Sequence, residues 1–138
     1  MAIIFQANIS REDLKANPYV YYIFGDNDLR EGYGGQAYSM RGEPNAIGIR
    51  TKKAPGNLDR DFYNDDELQQ NLKKIHADIE TVRGILDSGT LVVIPLLGIG
   101  TGRSALRSRA PNTFSGLKLY LAMLTKNLAQ EKIIMDWT

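Results

Sequence analysis

The sequence predicts an α/β fold of three layers, α/β/α, around a mixed, mainly parallel sheet. Three features carry this expectation. Short apolar runs alternate with amphipathic segments along the chain, the pattern of strands joined by crossover helices. The run at 91–97 (Leu-Val-Val-Ile-Pro-Leu-Leu) is apolar almost throughout, as a strand covered on both faces requires. Two glycine-rich stretches follow apolar runs directly, where α/β sheets carry ligand loops beyond the carboxyl ends of their strands.

Residues 2–7 read as the first strand. Ser10, followed by Arg11, Glu12 and Asp13, supplies an N-cap and an acidic first turn for a short helix that Pro18 ends. Residues 19–24 (Tyr-Val-Tyr-Tyr-Ile-Phe) combine aromatic and β-branched side chains and suit a buried strand. Residues 25–35 form a polar, glycine-rich loop, 36–41 a short helix and 45–51 a third strand. Pro55, Gly56 and many polar residues make 52–63 a loop. Asn64-Asp65-Asp66-Glu67 opens the longest helix, where Leu68, Leu72, Ile75, Ile79, Val82 and Leu86 recur at helical spacing and form one apolar stripe. Beyond the strand at 91–97, residues 98–109 form a second glycine-rich and basic loop, 114–128 a helix and 132–137 a last strand. With 138 residues, 43% of them hydrophobic and 24% charged, the chain fits one domain over 1–138.

Composition excludes several classes of function. Lys and Arg number 17 against 16 Asp and Glu, a formal charge of +1, whereas a protein that holds nucleic acid through many phosphates carries a clearer basic excess. The chain has no Cys, which removes disulfides, thiol nucleophiles and Cys-ligated metals. His76 is the only histidine; it lies one position off the apolar stripe and reads as a helix surface residue, so no metal or cofactor is expected. No apolar run approaches the roughly 18 residues of a membrane span. The first residues lack the basic and apolar regions of a signal peptide, so a cytoplasmic protein without a membrane partner is expected.

The two glycine loops carry the functional signal. In the first, Gly25-Asp26-Asn27-Asp28 leads to Gly32-Tyr33-Gly34-Gly35-Gln36-Ala37, so backbone amides can approach an anion at the start of a helix. In the second, Gly98-Ile99-Gly100-Thr101-Gly102-Arg103-Ser104 offers amides, two hydroxyls and a guanidinium, a composition suited to a diphosphate. It is not a P-loop, and its glycine spacing is not that of the dinucleotide fingerprint. Tyr33 is placed to cover a base or ribose; Asn27, read alone, also suits an Asx turn.

These residues resemble the macro domain, the ADP-ribose-binding α/β/α module, over nearly the whole chain. Ala7-Asn8-Ile9-Ser10 stands where macro domains carry Gly-Asp-Ile-Thr; Asn27 and the cluster 32–37 repeat the spacing of their first ligand loop; 98–102 match the loop that wraps the diphosphate. Thr51-Lys52-Lys53 is similar to the strand end of the terminal ADP-ribose glycohydrolase type, which includes antitoxins that remove ADP-ribose from DNA. The chain is also similar to small proteins of bacteriophage genomes, which implies a host cytoplasm.

The resemblance implies a ligand-binding set of Asn8, Ile9, Asn27, Gly34, Gly35, Gln36, Ala37, Gly98, Ile99, Gly100, Thr101, Gly102 and Arg103. Asn8 replaces the family's acidic residue, which accepts from the adenine amino group, and weakens adenine preference. Lys52 corresponds to the lysine that attacks the opened distal ribose, a role that needs a lowered amine pKa. The family's catalytic Asp falls at Gly102, so a carboxylate is sought on the opposite loop, at Asp26 or, as the candidate catalytic residue, Asp28. The expected function is binding of ADP-ribose or a related NAD-derived nucleotide, extended to hydrolysis of ADP-ribose from a protein or nucleic acid. Two alternatives stand beside it. One is a non-catalytic nucleic-acid module using Lys52, Lys53, Arg103, Arg107 and Arg109 as a phosphate track; the other is a phosphohydrolase acting on a small phosphorylated nucleotide.

Overall fold

The computed structural model describes residues 2–138. Its strands are β1 (Ile3–Gln6), β2 (Tyr21–Asn27), β3 (Ala46–Lys52) and β4 (Val92–Pro95), which form one sheet in the order β1-β4-β2-β3. All three pairings are parallel, so the expectation of a mixed sheet is corrected. Each strand returns through a crossover, and a crossover delivers the next strand in the same direction.

Six helices accompany the strands: α1 (Arg11–Ala16), α2 (Ala37–Met40), α3 (Leu68–Asp87), α4 (Leu106–Arg109), α5 (Pro111–Thr125) and α6 (Leu128–Met135). Parallel crossovers keep one hand, so those running in opposite directions along the sheet lie on opposite faces. The β1-α1-β2 and β2-α2-β3 steps run one way and β3-α3-β4 runs back. Accordingly Leu14 of α1 and Ala37 and Met40 of α2 are buried with Tyr22, Phe24 and Val93. Ile75, Ile79, Val82 and Leu86 of α3 and Leu117 and Leu121 of α5 are buried with Ile23, Ile49, Val92 and Ile94 on the other side. Neighbouring strand residues thus alternate between the two cores, as a pleated sheet demands.

Several element ends differ from the sequence reading. The strand expected at 19–24 starts at Tyr21, leaving Tyr19 exposed, and runs on through Gly25, Asp26 and Asn27 because these residues still pair with β3. The expected helix at 114–128 begins at Pro111, whose missing N–H is harmless in a first turn, and ends where Lys126 turns left-handed. The expected strand at 132–137 is helix as far as Met135: Asn127 caps α6 through its side chain, and Ile134 of the helix and Trp137 just beyond it are buried. It meets the β1 edge through a side chain rather than as a strand: Gln130 Nε2 donates to the Ile3 carbonyl (2.8 Å).

The opposite edge, β3, is closed by side chains. Arg30 Nη1 donates to the Gly48 carbonyl (2.8 Å), and the Arg50 amide donates to the buried Asp78 carboxylate (2.8 Å). Asp78 also pairs with the Arg30 and Arg50 guanidinium groups, and Arg30 continues to the buried Asp26, which pairs with Arg41. Asp78→Ala would leave the Arg50 edge amide without its acceptor and take a carboxylate partner from Arg30 and Arg50. We expect a loss of about 2–3 kcal/mol and a melting temperature lower by about 6–10 °C in a circular-dichroism melt. An unchanged melt would mean that water replaces Asp78 without cost.

Candidate functional site

Topology fixes where a cleft forms. β2 and β4 are neighbours, Tyr21 beside Val92 and Tyr22 beside Val93, yet the chain leaving β2 enters α2 on one face and the chain leaving β4 continues to α5 on the other. Two loops that diverge from adjacent strand ends leave a crevice between them, the usual ligand position in an open parallel sheet. Gln36 spans it. Its Oε1 accepts from the Gly25 amide (2.9 Å) and its Nε2 donates to the Gly98 carbonyl (2.8 Å), so one side chain ties the first glycine loop to the second.

One half of the crevice is polar. It is a depression of about 120 Å³ lined by Asn27, Glu31, Gly34, Lys52, Arg103 and Ser104, with Asp26 and Arg41 as its wall. Lys52 reaches it through an irregularity in β3: Asp26 lies beside Arg50 and Asn27 beside Lys52, leaving Thr51 out of register. A bulge of this kind re-aims the side chains that follow it. Thr51 turns its hydroxyl to Ser104 Oγ (2.7 Å), joining β3 to the second loop. Lys52 is buried, donates to the carbonyls of Pro55 and Gly56, and lies over the Phe62 ring (4.5 Å). Burial lowers its pKa; Arg103 and Arg109 push the same way, and Asp61 opposes them.

Arg41 holds the first loop from behind, its Nε donating to the Gly32 carbonyl (2.6 Å) while its Nη2 pairs with Asp26. Arg103 lies across the loop from the front. A Cβ on Gly34 would fall 2.7 Å from Arg103 Nη1, so the absent side chain is what lets the guanidinium lie there. The other half of the crevice is mainly apolar, a depression of about 370 Å³ lined by Asn8, Ile9, Gly35, Gln36, Met40, Leu96 and Leu97. The halves adjoin at Gly34 and Gly35.

The structure therefore brings Asn8, Ile9, Asn27, Gly34, Gly35, Gln36, Ala37, Lys52 and Arg103 to one crevice. Asn27 also forms the Asx turn: its Oδ1 accepts from the Leu29 amide (3.0 Å) and its Nδ2 donates to the Glu31 carbonyl (2.8 Å). Gly98, Ile99 and Gly100 are buried beneath the second loop rather than at its surface. Thr101 and Gly102 face a separate depression with Arg107 and Ser108, and the Thr101 hydroxyl donates to the Leu97 carbonyl (3.0 Å).

Asp28 is not at the crevice. Its carboxylate accepts from the Tyr63 hydroxyl (2.6 Å) and from Lys74 Nζ (2.7 Å). Burial and this carboxylate push the Tyr63 pKa well up, which keeps the phenol a donor. The basic segment is divided: Arg103 covers Gly34, Arg107 faces the separate depression, and Arg109 stacks on Phe62 (3.7 Å) and pairs with Asp59. The site role of Arg41 is not legible in the sequence, because Arg41 lies outside both glycine loops, whereas Thr51 stands in the Thr51-Lys52-Lys53 strand end that the sequence singles out. Among the described residues no group of three His, Asp or Glu side chains is placed to hold a metal, and no helix is long and apolar enough to cross a membrane.

A model of a family of unknown function (DUF7831) matches residues 4–119, and the chain belongs to that family. No curated protein and no solved structure matches it.

Two outcomes follow from this geometry. Lys52 should lose its proton at a lower pH than the ordinary lysine value of 10.5, and Arg103→Ala should raise its midpoint, because Arg103 disfavours the charged form. The unfolded chain holds this proton more tightly, so Lys52 makes stability rise with pH between its lowered value and 10.5. An NMR titration of the lysine side chains checks this; an ordinary midpoint for Lys52 contradicts it. Gln36→Leu leaves the Gly25 amide and the Gly98 carbonyl without their partner. A loss of about 1–3 kcal/mol in denaturant unfolding is expected, and a neutral effect would mean that the loops do not depend on the tie.

Proposed function

We propose that this member of the DUF7831 family binds ADP-ribose or a related NAD-derived nucleotide across the two-part crevice. The base and its ribose occupy the apolar half beside Asn8 and Ile9, the diphosphate crosses Gly34 and Gly35, and the distal ribose lies near Asn27 and Lys52. The observation that carries this reading is the meeting of an apolar and a cationic depression over a glycine pair. The amides of Gly34, Gly35, Thr101, Gly102 and Arg103 make no hydrogen bond among the described residues, and the Arg103 guanidinium, exposed and without an ion pair there, can swing off Gly34 to meet an anion. The resemblance to macro domains supports the same placement and proposes the same fold family.

Binding is better supported than two-residue hydrolysis. The carboxylates at the polar half are Asp26, held between Arg30 and Arg41, and Glu31 on the exposed first loop, while Asp28 is engaged elsewhere. Burial lowers the Lys52 pKa, the direction an amine nucleophile requires, and Lys52 is the residue to test for removal of ADP-ribose from a macromolecule. The division of Arg103, Arg107 and Arg109 among three directions speaks against a continuous phosphate track.

Titration calorimetry with ADP-ribose, and with AMP and NAD for comparison, tests the reading. We expect a dissociation constant on the order of 1 μM for ADP-ribose, about −8 kcal/mol, with AMP weaker. Gly35→Glu, which puts a carboxylate against Arg103 and strains the left-handed backbone of the loop at φ +58°, should abolish binding while the circular-dichroism spectrum is kept. Absence of heat with the folded wild type overturns the proposal. A nucleic-acid affinity that falls steeply with salt would replace it.

A further inference from the structure

The ligand-facing residues of the crevice all lie within the stretch 4–119, but the second glycine loop rests on a residue beyond it. Trp137 is buried, and it is the chain's one tryptophan. Its indole Nε1 donates to the Leu96 carbonyl (3.1 Å), so it caps the chain immediately after β4 rather than any group of its own segment. Gly98 lies against the ring: with φ at +100°, a Cβ there would fall 2.7 Å from Trp137 Cδ2 and 3.0 Å from Cγ. Trp137 is itself pinned, its amide donating to the Ile134 carbonyl (3.1 Å) and its carbonyl accepting from Lys118 Nζ of α5 (3.3 Å).

We infer that Trp137 is a positioning residue for the nucleotide crevice, setting the height and course of the second glycine loop from beneath. The chain of contacts is short. Trp137 fixes Leu96 and Gly98; Leu96 lines the apolar half; the Gly98 carbonyl receives Gln36, which lines the same half and reaches the first loop at Gly25. An indole is suited to the task because its rigid ring meets Gly98 over a wide face and its one donor fixes the ring's rotation. A phenylalanine fills much of the volume but has no donor for Leu96. The crevice is therefore completed by the C-terminal end of the fold, and ligand seated on it should be felt at the indole.

The inference concerns the site of the proposed function, and the experiment separates the two. Trp137→Phe and wild type are compared by amide hydrogen exchange without ligand, with calorimetric titration of ADP-ribose, and through the tryptophan emission of the wild type. Faster exchange of the hydrogen-bonded amides of Gly98, Ala105 and Leu106, with those of α3 and β2 unchanged, is the expected local effect. A uniform acceleration, or none, overturns the positioning role. ADP-ribose should bind Trp137→Phe about threefold to tenfold more weakly, the equivalent of one lost hydrogen bond. It should also shift or quench the wild-type emission. Binding with unchanged affinity in the variant, or binding that leaves the emission unmoved, overturns the coupling to the crevice. No binding by the wild type refutes the nucleotide reading alone, and the exchange pattern still decides whether Trp137 sets the loop.

Discussion

The carboxylate of Asp26 is the point on which the sheet edge and the first loop both depend. It stands near the end of β2, 5% exposed, where an unpaired charge would be expensive. Arg41 and Arg30 supply the compensation from two sides, and each then does something else. Arg41 takes the carbonyls of Glu31 and Gly32, which fixes the first glycine loop; Arg30 takes the Gly48 carbonyl and Asp78, which closes the β3 edge. Gly48 belongs to the same arrangement, since a Cβ there would collide with Asp26 Oδ2. A buried ion pair is often only neutral for stability, but removing one member exposes the full cost of the other. Asp26 is therefore better understood as an organiser of its neighbours than as a source of net stability.

A second constraint follows from the parallel sheet. Adjacent strands whose following helices go to opposite faces cannot share a loop, so the crevice between them is held open by topology and has to be bridged by side chains. Gln36 bridges its floor and the Thr51–Ser104 hydroxyl pair bridges the polar end. Both ties are uncharged and short, and neither uses the Lys52 or Arg103 cations. The cations are left to face the crevice, which fits a site for an anion better than a site that orders itself by internal ion pairs.

Much of this was legible in the sequence, and the boundary of legibility is physical. Strands covered on both faces announce themselves as apolar runs, and α3 announces itself through the stripe from Ile75 to Leu86. The glycine cluster marks the first loop because Gly32 and Gly35 take left-handed backbone, at φ +92° and +58°, and Gly34 leaves room for Arg103. The last segment was misread because Ile133, Ile134 and Met135 in succession satisfy both periods, and only Asn127 as a cap selects helix. Asp28 illustrates a different limit. One residue from Asn27, it has the right chemistry, but the turn sends its carboxylate toward Tyr63 and Lys74. Direction within a loop depends on partners tens of residues away, which local spacing does not encode.

The same distinction bears on what the crevice does. A lysine with a lowered pKa is reactive only when its amine is free to leave its hydrogen bonds, and Lys52 is held by two carbonyls of the segment that follows it, Pro55 and Gly56. That segment is stabilised by Asp61, whose backbone carbonyl accepts the amides of Lys53 and Ala54 and whose carboxylate accepts the Leu58 amide. The two carbonyls thus hold the Lys52 nitrogen through its N–H groups. A ligand that brings its own acceptors, such as ribose hydroxyls or a phosphate, can replace the carbonyls and keep the charge. A reaction would require a ligand group that takes the proton as well. With Asp26 already shared between two arginines, the proposed binding of an anionic nucleotide asks less of these residues than its turnover would.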